Sequence, residues 1–172
     1  MTPAAEIEPC RGCGALVPRV EGATHRYLDA SPGCWETLGR VLAKEFSRRA
    51  YFQVHALTVD AYAVQHPGTP SPQTIQSVAV HLIALYAMLE LGWPADRSSE
   101  VRKEAKRGLA DAFAWLDPPQ NLGAVTVVDV AAAASAADHQ ERVRKWARSA
   151  WDAWAAHHET VRGWASRTGI GG

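Results

Sequence analysis

The chain has three cysteines and no fourth, no net charge, and no long apolar run. Each shortage narrows what it can be. Lys and Arg number 18 against 18 Asp and Glu, which argues against nonspecific binding to nucleic acid or to an anionic membrane. The longest apolar run ends at Glu90, short of the roughly 20 residues of a membrane span. No P-loop, GxGxxG or GxSxG is present, so common nucleotide and nucleophile motifs give no lead. No internal repeat and no sustained strand alternation appear. The N-terminal MTPAAEIEPC lacks a basic-then-apolar leader, and a cytoplasmic location is expected. An odd cysteine count in a reducing compartment speaks for metal or redox chemistry over a disulfide framework.

What is present is helical. At 172 residues the chain suits one domain with a sizeable core. Residues 1–31 show no period and read as an irregular lobe too small to hold itself together without a staple such as a metal. Ser31-Pro32-Gly33-Cys34 reads as a helix start, with Ser31 as N-cap, Pro32 at the first position and Cys34 in the first turn. That helix continues through Trp35, Leu38, Val41, Leu42 and Phe46. A second helix is expected over about 50–65, a buried third over 73–91, and a fourth from Ser98 or Ser99 to about Leu116. The inner stripe of the fourth is Val101, Ala105, Leu109, Ala112 and Leu116. Thr126 to Asp129 fits a capping box before a short helix, and a last helix runs to about Ser166. The expectation is therefore all-α: one bundle of five or six helices over 32–168, an N-terminal zinc-knuckle-like lobe over 1–31, and a disordered tail over 169–172.

Cys10-x-x-Cys13-Gly14 has the form of a zinc knuckle, a tight turn aiming two thiolates at one ion. Cys34 supplies a third sulfur. A closed zinc site wants four ligands, so a histidine must complete it. A short connection makes the first two helices an antiparallel hairpin, which brings His66 near Cys34. His25, in the lobe, is the rival. His55 lies roughly 16 Å from His66 on a straight helix and cannot share its ion.

A second constellation is His55, Asp60, His81, His157 and His158, all on or beside apolar faces. A lone histidine on such a face is more often a satisfied core residue than a catalytic one. Asp60 needs a partner if buried. An Asp–His pair can act as a general base or simply tie two helices together. His55, Asp60, His81 and His157 are the candidate catalytic residues. The Trp-rich last helix carries Arg142, Arg144, Arg148 and Arg162, but most of its tryptophans share a face with Val143 and Val161. That phase describes a core stripe with a solvated basic side, not a nucleic-acid platform.

The blocks CRGCG, GATHRY, ASPGCW, LTVDAYAVQHPG, QSVAVHL and WDAWAAHH span nearly the whole chain. Together they resemble a bacterial family of small proteins classed as a domain of unknown function, family 5946. The resemblance implies candidate metal ligands at Cys10, Cys13, Cys34 and His66, and it implies no activity. Three functions stay open on chemistry alone. One is a zinc-binding helical protein that binds a small ligand or a protein partner. Another is a zinc-dependent hydrolase or lyase, with the three cysteines holding zinc and His66, His55 or Asp60 moving protons. The third is a thiol redox protein using Cys10 and Cys13.

Overall fold

In the computed structural model the described residues are 6–109 and 111–171. The expected lobe therefore has its first five residues outside the description. The rest of it is organised by a small antiparallel hairpin, β1 (Ile7–Pro9) against β2 (Leu16–Pro18). Three-residue strands are too short to print an alternation on the sequence. Between them Cys10 N–H donates to the Ala15 carbonyl at 2.8 Å, and Gly14 N–H to the Cys10 carbonyl at 2.9 Å. Gly14 has φ +74°, a conformation that glycine adopts without penalty. Val17 is fully buried and anchors the hairpin to the core.

The rest is helical: α1 (Pro32–Ser47), α2 (Arg49–Phe52), α3 (His55–Gln65), α4 (Pro72–Leu89), α5 (Ser98–Leu109), α6 (Val127–Ala131), α7 (Ala136–Ala153) and α8 (His158–Arg167). Helix α4 is the central one. Leu82, Ile83 and Leu85 are fully buried, and α4 packs on α3, α5, α7 and α8. Its start is held by a capping box between Ser71 and Thr74. Helices α1 and α3 run antiparallel. Glu45 meets Thr58 at one end, and Cys34 meets Tyr62 and His66 at the other. Among the described residues, no helix is long and apolar enough to cross a membrane.

Several expected elements differ in detail. The expected 50–65 helix is broken at Gln53 and Val54, where burial of Val54 and the bonds from His55 and Thr58 to Glu45 reset the chain. The last helix breaks at Trp154 into α7 and α8. There Trp154 Nε1–H donates to the Val64 carbonyl at 3.1 Å, a tertiary bond that outweighs a continuous helical period. The fourth helix stops at Leu109, just after the weak helix former Gly108, so Ala112 is exposed rather than inward. Phe46, which recurs at helical spacing with Trp35, Leu38, Val41 and Leu42, is 67% exposed. Within the expected tail over 169–172, Ile170 is buried, and Gly172 lies outside the described residues. The tryptophans do face inward. Trp146, Trp151 and Trp154 are fully buried and each indole N–H has an acceptor.

Candidate metal centre

Cys10, Cys13, Cys34 and His66 converge where the β-hairpin turn meets the start of α1 and the end of α3. One ligand atom from each lies within 4.8 Å of all the others. His66 Nε2 is 3.5 Å from Cys10 Sγ and 3.5 Å from Cys34 Sγ, and Cys13 Sγ is 3.8 Å from Cys34 Sγ. These spacings can be compared with a tetrahedron. Metal–sulfur bonds of about 2.3 Å and a metal–nitrogen bond of about 2.05 Å put two sulfurs about 3.8 Å apart and a sulfur and nitrogen about 3.6 Å apart. The three separations agree with tetrahedral corners around one ion, and the sulfurs are too far apart for a disulfide. The group can hold a metal ion.

Local structure explains the convergence. Ser31 caps α1 geometrically, yet its hydroxyl accepts from Arg11 N–H at 3.1 Å and its own N–H points to Cys10 Sγ at 3.4 Å. The residue expected to serve the helix serves the knuckle. Tyr62 O–H donates to Cys34 Sγ at 3.5 Å. His66 Nδ1–H donates to the Tyr62 carbonyl at 2.7 Å, which turns the Nε2 lone pair toward the sulfurs. This is the usual second tie of a ligating histidine, and it sets ring orientation and tautomer. Tyr62 also stacks on the His66 ring with centroids 4.0 Å apart. Gly12 closes the other side: a Cβ there would sit 2.4 Å from the Asp29 carbonyl oxygen and 2.5 Å from His66 Cδ2.

The electrostatics follow from crowding acidic thiols in a buried place. Hydrogen bonds from Cys13 and Cys34 hold the Cys10 thiol far below its ordinary range. Its bond to Cys10, then that to Cys13, pushes Cys34 far up, and burial adds to this. Burial works to lower the His66 pKa, but its bonds to Cys10 and Cys13 win and raise it to about 9. Cysteine thiols, and an imidazole if protonated, must give up their protons to hold an ion. A divalent cation displaces those protons and takes their place. Cys10, Cys34 and His66 are buried, while Cys13 borders a polar cleft of about 560 Å³ shared with Gly14, Asn121 and Asp129, a way in for an ion.

His25, the rival fourth ligand, stands outside this group. It packs edge-on to Tyr27 and against Trp35. The remaining histidines fall into separate places. His81 Nδ1 bonds Asp60 Oδ1 at 2.6 Å. His55 Nδ1 bonds Glu45 Oε2 at 2.8 Å. His157 Nε2 meets the Asp117 carbonyl at 2.8 Å, and His158 Nε2 meets the Trp151 carbonyl at 2.9 Å while stacking on the Trp151 ring. The four candidate catalytic residues thus do not form one site: Asp60 and His81 are together, and His55 and His157 are each elsewhere.

Two buried residues escaped the sequence reading. Glu45 is fully buried and accepts from His55, from Thr58 Oγ1 at 2.5 Å and from His139 Nε2 at 3.0 Å. His139 is also fully buried, and its Nδ1 has no partner among the described residues. A signal existed. Glu45 continues the Leu38, Val41 stripe, and His139 continues Val143 and Trp146 backward by one turn.

Among the curated proteins and the solved structures, nothing matches this chain. A protein-family match does exist, and it encloses all four members of the metal-competent cluster. Residues 8–155 match the model described as "Family of unknown function (DUF5946)", and the chain belongs to that family.

Proposed function

We propose that this is a zinc protein whose Cys10, Cys13, Cys34 and His66 form a closed structural site, and whose helical bundle binds a small ligand. The observation that carries the first half is the oriented His66. A catalytic zinc keeps one position for water or substrate, whereas here a protein nitrogen, oriented by the Tyr62 carbonyl, would fill the fourth corner. Zinc is the ion that a tetrahedral three-sulfur, one-nitrogen set suits best. The ion would tie the β-hairpin to the α1–α3 pair, replacing the core that so short a lobe cannot build. Three unpaired thiols used as ligands suit a reducing compartment such as the cytoplasm.

The hydrolase or lyase reading needs an open position and loses support from the same histidine. The redox reading needs Cys10 and Cys13 to face each other alone. Both instead share their surroundings with Cys34 and His66. Cobalt substitution tests the choice. A closed site gives tetrahedral visible bands that azide does not move. Bands that shift on adding azide would reveal an exchangeable position and favour the enzyme.

A further inference from the structure

Asp60 and His81 form a second polar centre, apart from the metal ligands. Asp60 is fully buried on α3. Its Oδ1 accepts from His81 Nδ1 and from Arg102 Nη1, each at 2.6 Å, and its Oδ2 accepts from Ser98 Oγ at 2.8 Å. The carboxylate is fully engaged, and the His81 ring is held by Nδ1 with Nε2 at its other end. His81 borders two adjoining cavities, which also share Tyr27 and Ser77.

The outer cavity, about 470 Å³, lies between α4 and α5 and is rimmed by Arg102, Lys103 and Lys106. The acids of α5 are spoken for: Glu100 pairs with Arg97 and Glu104 with Arg107. Lys103 and Lys106 have no ion pair among the described residues. A chain with no net charge thus has a local excess of positive charge at this mouth. The inner cavity, about 190 Å³, is apolar, with walls from Trp35, Leu38, Leu42, Val59 and Tyr62. A cavity on the order of 150 Å³ accommodates benzene.

We propose that these two cavities form one binding site for a small aryl anion: a single ring carrying a carboxylate or phosphate. The ring occupies the inner, aromatic-lined space. The anionic head lies at the mouth, where it accepts from Arg102, with Lys103 and Lys106 supplying field and the His81 ring, fixed by Asp60, forming the wall between the two spaces. Pockets of this kind, mostly apolar with a few convergent polar groups, are where small ligands bind. The inference rests on the ligand-binding half of the function proposed above; its pocket uses no metal ligand, although Tyr62 in its wall also touches Cys34.

Isothermal titration of the full chain tests it, with phenylacetate, phenyl phosphate, toluene and acetate as probes. One of the two aryl anions saturates at one per chain, and the tighter of them identifies the head group. Lys103→Glu with Lys106→Glu, both exposed positions, weakens that binding about tenfold or more. Leu42→Trp, which fills the inner space, abolishes it. The proposal is overturned if neither aryl anion saturates, if toluene or acetate binds as tightly, or if the charge reversal leaves affinity unchanged. Zinc content is measured on the same sample. Absence of zinc with intact anion binding would remove only the metal reading, and zinc-loaded protein that binds no aryl anion would remove only this one.

Discussion

Gly12→Ala is the sharpest mutational test of the metal centre, because it touches no ligand atom. The new Cβ would sit 2.5 Å from His66 Cδ2, with the Asp29 carbonyl oxygen at 2.4 Å and the Gln65 carbonyl oxygen at 3.1 Å closing off escape. Reaching an ordinary contact of about 3.4 Å requires the imidazole to retreat by roughly 0.9 Å. Metal–ligand bonds tolerate about ±0.2 Å, so His66 cannot retreat and stay bound. Structural zinc contributes apparent binding energies of about 10–16 kcal/mol over four ligands, and losing one corner should cost about 3 kcal/mol. That is a weakening of about 100-fold, read by competition against a chromophoric chelator. At fixed free zinc it lowers Tm by about 6–12 °C in a chain of this size. Gly22→Ala is the control: it lies in the same lobe, has open space around it and no positive φ, and should change neither quantity. Zinc affinity in Gly12→Ala within about threefold of the parent would refute the tight cradle.

Other outcomes follow from single contacts. Cys34→Ser should lose stoichiometric zinc and fall in Tm by more than Gly12→Ala, as metal analysis and melting would show; unchanged melting would count against a structural role. Glu45→Leu removes the acceptor shared by His55, His139 and Thr58 and should cost about 3–5 kcal/mol in urea unfolding, whereas Glu45→Gln keeps an acceptor and costs less. Trp146→Phe strands Gln65 Oε1 and should cost about 1–3 kcal/mol. The bond from Arg148, then that from Trp151 Nε1–H, holds the Glu90 carboxyl below its usual range. A depressed folded-state pKa adds stability above the unfolded value of about 4.3 and loses it as pH falls through the folded value. The group is largely solvent-screened, so Glu90→Gln should cost under about 1 kcal/mol at pH 7, and the gap should close below about pH 4.

The cluster of Cys10, Cys13, Cys34 and His66 was legible in the sequence because it rests on local chemistry. C-x-x-C-G specifies a turn, and Ser-Pro-Gly-Cys specifies a helix start that carries a sulfur. A short hairpin then favours His66 over His25. Asp60 was legible as a problem, a buried carboxylate needing a partner, and His81, Arg102 and Ser98 supply the answer. Its partners come from α4 and α5, and no local spacing announces them. Glu45 and His139 lie 94 positions apart, on helices whose register only the packed bundle sets. The breaks at Val54 and Trp154 were hidden for a related reason. The apolar period runs through both, and the bonds that interrupt it reach across the core to Glu45 and to the Val64 carbonyl. The hairpin of the lobe is held by its turn, its ladder and one buried valine, with too few residues to show a period.

X-ray absorption at the zinc edge of protein purified without added metal bears most directly on the centre. Three sulfurs at about 2.3 Å and one nitrogen at about 2.0 Å, with one zinc per chain, are the expected shell. An oxygen in place of the nitrogen, a shell with fewer than three sulfurs, or a chain that carries no zinc at all would contradict it.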